Sequence, residues 1–354
     1  WNFNTTDNED YSYVVVDDAH LENVSIPGLW RWQNFGNTLS VFYRNQIYIH
    51  DFWQTKSISI LSPSFTDAHE FYFNGIKIGG EGKISSSGEC LVNNSKSKIY
   101  SIPESAIKFN SQNTISIRVC NYVGLAGVFG KFQIGETDKI EREFYSSMVW
   151  NVSIGLVFLF VSFYHLLLFV GSKKDLSYLY FSLSCLFSST LTLGYYRFTY
   201  WVFDSYKFHF YFFNSGFGIV GLFLVLFLYS FFEYKIPNWI KFINYSVMIL
   251  FFTFILSPLS SLILQVYTKF SQPLLILSGI PYGFALCKIV FQANQENKNG
   301  SKTIAFGLMI LLSAFFMGIL FYFNLINVFN LLPESFLIFV LCIAVALSAK
   351  FYRV

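Results

Sequence analysis

The N-terminal part of the chain holds residues whose side chains suit a small polar ligand with C–H faces. Trp30, Trp32 and Trp53 offer flat aromatic surfaces, and Asn74, Glu81, Asn121 and Tyr122 offer hydrogen-bonding groups. Aromatic faces pack on C–H surfaces, while amides, carboxylates and phenols take the polar groups. Each of these residues also has a purely structural reading. Trp30 and Trp32 are alternate residues and share one strand face, as the core tryptophans of a small sandwich do. Asn74 precedes Gly75, a pair that supplies the positive φ angles of a type I′ turn. Asp17, Asp18 and Asp51 are candidates for holding a structural calcium ion, although no EF-hand spacing is present. Cys90 and Cys120 form a candidate disulfide in an oxidising compartment. Cys185, Cys287 and Cys342 lie in apolar stretches, where cysteine usually acts as a small hydrophobe.

The elements that carry these residues read as short strands. Over residues 1–135, β-forming runs alternate with polar turns, the pattern of an all-β sandwich. The runs are Tyr13–Val16, Ser57–Leu61, Phe71–Ile78 around Asn74-Gly75, Thr114–Cys120 and Val128–Ile134. Thr114–Cys120 places Ile115, Ile117 and Val119 on one face and Thr114, Ser116 and Arg118 on the other, as in a half-buried strand. The Gly124–Gly127 loop has no phosphate-loop lysine and no helix after it, which excludes nucleotide binding there. Residues 136–147 are charged and then amphiphilic. They are expected to form a juxtamembrane linker, with a short helix continuous with the first apolar stretch.

Residues 148–354 are a succession of apolar stretches near the roughly 20 residues that span a bilayer. Seven spans are expected, at about 148–170, 176–196, 208–232, 242–264, 266–287, 303–325 and 332–349, with a polar loop at 292–302. The boundary between the fourth and fifth is the least defined, since Pro258 fits either a kink or a turn. Merging the two gives six spans. Nine Lys and Arg fall on one set of loops and five on the other. The positive-inside rule then sets the N-terminal domain outside and the C-terminus in the cytoplasm. The net charge of +3 hides an asymmetry: residues 1–146 carry 16 acids and 12 bases, and residues 147–354 carry 5 acids and 12 bases. The mean hydropathy of +0.46 and the 44 phenylalanines are membrane-like, and the basic balance reflects orientation and not nucleic-acid binding. The chain begins at Trp1 without Met or signal peptide, so a mature or trimmed chain is expected.

Several activities are disfavoured. There is no His-Glu-x-x-His zinc motif, no Gly-x-Ser-x-Gly elbow and no pair of acids within the spans. Lys350 is terminal in the last span, so no mid-span lysine is available for retinal. His165 in the first span reads as a packed, hydrogen-bonded histidine, and Arg197 at the end of the second can snorkel. A transporter, or a membrane-embedded enzyme with an accessory sugar-binding domain, is the alternative to a receptor. Pro273 and Pro281 in one span could break it, as in a transporter, but the spans lack charge, no inverted repeat is evident and a one-sided external domain is unusual for that class.

The run Pro27-Gly-Leu-Trp-Arg-Trp32, followed by Asp51-Phe-Trp53 and by Phe73-Asn-Gly-Ile-Lys-Ile-Gly79 with Gly82, resembles a galactose-binding-like jelly roll. So do Tyr100-Ser-Ile-Pro103, Asn113–Val119 and the Gly124–Gly130 loop. The segments Lys173–Phe181 and Leu341–Lys350 resemble bacterial seven-transmembrane receptors with diverse intracellular signalling modules. The resemblance implies a jelly-roll sandwich ectodomain (1–135), a linker (136–147) and a seven-helix transmembrane bundle (148–354). It further implies a carbohydrate or related small ligand, a cytoplasmic output module beyond Val354, no catalysis within this chain and a homodimer.

Overall fold

The computed structural model describes residues 2–4, 22–23, 28–29, 40–65, 68–85, 90–91, 98–120, 127–129, 132–171, 175–195, 198–203, 206–216, 218–256, 274, 277–322 and 331–351. The chain forms two compact units. One holds residues 1–147 with 200–206 and 260–268; the other holds 148–199, 207–259 and 269–354.

The first unit is a β-sandwich, its strands numbered in chain order. A six-stranded antiparallel sheet joins β1 (Asn2–Asn4), β2 (Glu22–Asn23), β4 (Ser40–Ile49), β7 (His69–Phe73), β8 (Ile76–Glu81) and β12 (Ser111–Cys120) in the order β2-β1-β4-β12-β7-β8. Facing it are β11-β5-β14 (Ile99–Ser101, Ile58–Leu61, Gln133–Glu136) and β3-β13-β6 (Gly28–Leu29, Gly127–Phe129, Ser64–Phe65). A small hairpin pairs β9 (Lys83–Ile84) with β10 (Cys90–Leu91). One core cluster unites the layers. Val41, Tyr43, Phe71, Phe73, Ile115, Ile117 and Val119 come from the large sheet, and Ile58, Ile60, Phe65 and Tyr100 from the strands opposite. Burial of each large apolar side chain stabilises by about 1.5–3 kcal/mol. A single core between two sheets is what defines a sandwich.

β12 is the central strand, paired with β4 from Ser111↔Ile49 to Cys120↔Ser40 and with β7 from Ile115↔Phe73 to Val119↔His69. The expected alternation holds for its core face, but the second face is not solvated: Thr114, Ser116 and Arg118 are all buried. The cause is local packing. The Arg118 guanidinium lies 6.0 Å over the Phe42 ring, donates to the Ser85 carbonyl at 3.2 Å and approaches Glu70 at 3.6 Å. The expected strand at 128–134 is two strands, because β13 pairs with β3 and β6 while β14 pairs with β5. Tyr13–Val16 lies outside the described residues.

Residues 137–147 form the helix continuous with the first apolar stretch that the sequence led one to expect. β14 ends at Glu136, and α1 (Thr137–Gly171) runs for 35 residues without interruption. Its start is tied to β5 and the residue before it. The Thr137 N–H donates to the Ser57 carbonyl at 3.0 Å, and the Thr137 and Ser59 hydroxyls share a 2.7 Å bond. Asp138 places a carboxylate in the first turn, where the helix dipole favours it.

The second unit adds α2 (Leu176–Tyr195), α3 (Tyr206–Asn214), α4 (Ile219–Phe231), α5 (Asn238–Leu256), α6 (Gly279–Gln295), α7 (Ser301–Tyr322) and α8 (Leu332–Phe351). Among the described residues, five stretches are long and apolar enough to cross a membrane, and Leu332–Ser348 is a shorter apolar helix. The span expected at 208–232 is one of the five, at Phe208–Phe231, and within it the helix is interrupted between α3 and α4. The break falls at Ser215–Gly218, where Gly218 takes a φ of +75°. Of the fifth span, expected at 266–287, residues 274 and 277–287 are described; α6 begins at Gly279 and continues to Gln295, so the polar connection shrinks to residues 296–300. Pro281 does not break α6: it sits in the first turn, where a backbone N–H has no intrahelical partner to lose. Pro258, Pro273 and the fourth-to-fifth boundary lie outside the described residues.

Within this unit the helices close a ring. α1 meets α2, α2 meets α4, α4 meets α6, α6 meets α7 and α7 meets α8. α8 returns to α1 through the Phe158–Phe336 ring contact at 5.3 Å. α5 packs on α4 and is tied to α6 by the Tyr282 hydroxyl, which donates to Asn244 at 2.9 Å.

Candidate functional site

Trp53 closes a 3-10 turn, Asp51–Trp53, that comes after β4. Its ring packs on the sandwich core, its edge lies 4.0 Å from the Cβ position of Gly135, and Lys56 sits 6.0 Å over it. Lys56 also pairs with Glu136 at 2.9 Å. Trp53 is thus a half-buried brace at the root of α1 and not an open platform.

Asn74 is the first residue of the β7–β8 turn, with φ of +48° followed by +83° at Gly75. Positive φ at both positions defines type I′. Its Oδ1 accepts from the Thr114 N–H at 2.8 Å, and its Nδ2 donates to the Ala106 carbonyl at 2.8 Å and to Asn113 Oδ1 at 2.7 Å. Asn113, fully buried, in turn bonds the backbone of Lys108 and Ser111. Asn74 is therefore a latch joining the hairpin to β12 and the 104–113 loop.

Glu81 ends β8 and pairs with Lys98 at 2.7 Å. It lies at the opposite end of the hairpin from Asn74, roughly 20 Å away at 3.3 Å per strand residue. One small ligand cannot touch both. Next to Glu81, Tyr100 bonds the buried His69 ring at 3.1 Å. Burial, reinforced by the Glu81 carboxylate, pushes the Tyr100 phenol above its ordinary value.

Trp30, Trp32, Asn121 and Tyr122 lie outside the described residues, as do Asp17 and Asp18. Asp51 is exposed, and among the described residues no group of three His, Cys, Asp or Glu could hold a metal ion. Cys120 is disulfide-bonded, while Cys185, Cys287 and Cys342 are free. Cys120 packs with Ala68 and Ile84, and Ile84 stands opposite Cys90 in the β9–β10 pair.

Sequence reasoning passed over an aromatic ladder on the outer face of β4. Tyr48 meets His50 edge-on at 4.8 Å, His50 stacks on Phe52 at 5.6 Å, and Phe52 leans on Trp53 at 5.5 Å. Tyr48 is 48% and Phe52 64% exposed. The alternate spacing of residues 48, 50 and 52 was the signal for it.

In the membrane unit, α1 and α2 are joined by small polar residues at seven-residue intervals. The Ser182 hydroxyl donates to the Ser162 carbonyl at 2.8 Å, and Ser189 donates to the Gly155 carbonyl at 2.9 Å. Only a hydrogen at residue 155 permits this approach, since a Cβ there would fall 2.5 Å from Leu193. His165 bonds the Val161 carbonyl at 2.9 Å and stands edge-on to Phe181, so it is packed into the bundle. The Trp150 indole donates to Glu334 at 3.1 Å. At the α3–α4 break, Asn214 and Ser215 donate to the carbonyls of Phe210 and Phe212. Arg197 lies outside the described residues.

These features define a class: a β-sandwich followed by a multi-pass membrane domain. The model of the 7TM diverse intracellular signalling family matches residues 146–350, more than half the chain. The chain belongs to that family, and its second half is a membrane-spanning signalling domain. No curated protein matches the chain. Solved structures similar to it include a β-glucuronidase of Bacteroides uniformis, at 15% identity and a TM-score of 0.31 over 38% of this chain and 16% of that one. A glycosyl hydrolase family 2 member from Bacteroides cellulosilyticus is 16% identical with a TM-score of 0.31, over 38% of this chain and 19% of that one. The Ruminococcus gnavus β-glucuronidase is 15% identical with a TM-score of 0.27, over 35% and 21%. The chain thus spans about a fifth or less of each enzyme's length.

Proposed function

We propose that the protein is a bacterial cell-surface receptor whose sandwich senses a carbohydrate or related small ligand and whose seven-helix domain relays the change to a cytoplasmic output module. The observation that carries this reading is α1. It is one unbroken helix, hydrogen-bonded to β5 and the residue before it at its first turn and continuing through the first span. A ligand shifts such a device only by binding its two states with different affinity, and a strand-anchored helix offers a two-state element for it to bias.

The ligand site in this reading lies at the end of the sandwich away from α1. Glu81 is there, level with His69 and Val119 in the sheet register. Asn121 and Tyr122 come directly after Cys120 in sequence, and Trp30 comes after Leu29, which pairs with Gly127. Trp53 and Asn74 serve the fold instead. Cys90 is the partner of Cys120, the ectodomain faces outward from the inner membrane, and the receptor acts as a homodimer.

Orientation is tested by adding protease to intact spheroplasts. Cleavage within residues 1–147, with a tag after Val354 protected, is the expected result. Cleavage of the tag with an untouched sandwich would sink the receptor reading. The α3–α4 break is the feature a transporter would use, but its polar side chains donate to their own helix carbonyls.

A further inference from the structure

Glu334 is the one acid carried within a helix of the second unit among the described residues. Asp175 precedes α2, Glu233 follows α4 and Glu296 follows α6. An acid on a membrane-spanning helix is costly to keep and is held by a partner. Glu334 lies in the first turn of α8, where the helix dipole favours a carboxylate. Its Oε1 accepts from the Trp150 indole of α1 at 3.1 Å. Its Oε2 is buried and has no hydrogen-bond partner among the described residues. The charged groups on the neighbouring helices stand far from it. Lys302 is at the start of α7, next to Gly300, where a Cβ would lie 2.7 Å from that of Ala346. Ala346 is twelve residues along α8 from Glu334, about 18 Å at 1.5 Å per residue. His165 is fifteen residues along α1 from Trp150, about 22 Å by the same rise.

Two different seams flank α8 within this unit. Toward α7 it is close-packed: a Cβ at Gly307 would fall 2.9 Å from that of Cys342. Small residues that let backbones approach this closely hold helices together by van der Waals contact. Toward α1 the seam is made by side-chain tips, with Phe158 edge-on to Phe336 at 5.3 Å and the Trp150–Glu334 bond. That bond is balanced. One carboxylate oxygen gains a charge-assisted hydrogen bond, while the other forgoes the water it would meet if the seam opened. The gain and the cost are of the same order, so closed and open arrangements are both accessible.

We infer that the Trp150–Glu334 bond is a switchable clasp that joins the first helix of the bundle directly to the last. In the closed state the indole holds the carboxylate; in the open state Glu334 is hydrated and α1 is released from α8. Resting on the receptor reading above, the clasp passes movement of α1 to α8 without routing it through α2–α7. α1 follows β14 directly in the chain, and α8 is the helix that leads on to the output module in that reading.

The test measures helix separation by double electron–electron resonance on the full chain in phosphatidylcholine nanodiscs, with Cys185, Cys287 and Cys342 replaced by alanine. Leu167→Cys with Val345→Cys reports across α1 and α8, and Met309→Cys with Val345→Cys reports across α7 and α8; all three positions are exposed. The wild-type clasp should give two distances across α1–α8. Trp150→Phe, which keeps a ring but loses the N–H, and Glu334→Leu should each abolish the shorter one. Glu334→Gln keeps an acceptor oxygen and should retain it. The α7–α8 distance should be the same in every variant. An α1–α8 distribution unmoved by Trp150→Phe and Glu334→Leu overturns the inference. Equal shifts across both seams also overturn it, by showing general loosening of the bundle. No saccharide enters this measurement, so its failure leaves ligand sensing by the sandwich untouched, and a failed saccharide screen leaves the clasp untouched.

Discussion

Replacing Asn74 separates a latch from a ligand contact. Asn74→Gly keeps the turn, since glycine adopts positive φ without strain, but removes the three side-chain hydrogen bonds to Thr114, Ala106 and Asn113. At about 0.5–1.5 kcal/mol for each, the loss is about 2–3 kcal/mol. Asn74→Ala loses the same bonds and also places a Cβ in the left-handed region at φ +48°, which adds about 1 kcal/mol. The expected order is wild type, then Gly, then Ala, with Ala about 3–4 kcal/mol below wild type. Hydrogen exchange on the full chain reads this directly. Peptides covering 69–81 and 111–120 should open with free energies lowered by those amounts. The reasoning is refuted if both variants exchange within about 0.5 kcal/mol of wild type, or if Ala protects better than Gly.

The same packing has other consequences. Tyr100 has its phenol pKa raised in the folded state, so its contribution is complete below the unfolded value near 10 and is lost as pH rises above it. Stability of the sandwich should fall by about 1.4 kcal/mol per pH unit in that window, and Tyr100→Phe should flatten the slope measured by denaturant titration. Reduction of a Cys90–Cys120 bond, closing a loop of about 30 residues, should lower stability by about 3–4 kcal/mol, read as a shift in chemical denaturation with and without reductant. Peptide mapping that finds Cys90 free would contradict the pairing. Ser189→Ala should cost only about 0.6 kcal/mol, the usual worth of an interhelical bond in a membrane. Gly155→Leu should instead separate α1 from α2 and lower the folded fraction surviving detergent extraction.

The sequence made some of this legible for clear physical reasons. Asn74-Gly75 announces its turn because few pairs tolerate positive φ twice, and β12 announces its core face through strict alternation of Ile115, Ile117 and Val119. The burial of its other face was hidden, because Arg118 looks solvent-facing until Phe42, Glu70 and Ser85 are packed around it. The break between α3 and α4 was hidden by apolar composition, although Gly218, with its positive φ, is the residue that permits it. Pro281 misled in the other direction, since a proline starts a helix as readily as it ends one. For the candidate site, residue type suggested Trp53 and Asn74; their structural partners, the sandwich core for one and Thr114, Ala106 and Asn113 for the other, could not be read from residue type.

The central claim is that the sandwich binds a small ligand at the end bearing Glu81. The most direct measurement is the thermal stability of the full chain in nanodiscs against neutral hexoses, uronic acids, oligosaccharides and Ca²⁺, since a ligand bound only to the native state raises apparent stability by mass action. The account predicts a reproducible upward shift with one saccharide class, lost in Trp30→Ala and Glu81→Gln but kept in Trp53→Phe. No shift with any compound, or a shift that survives both substitutions, would contradict it.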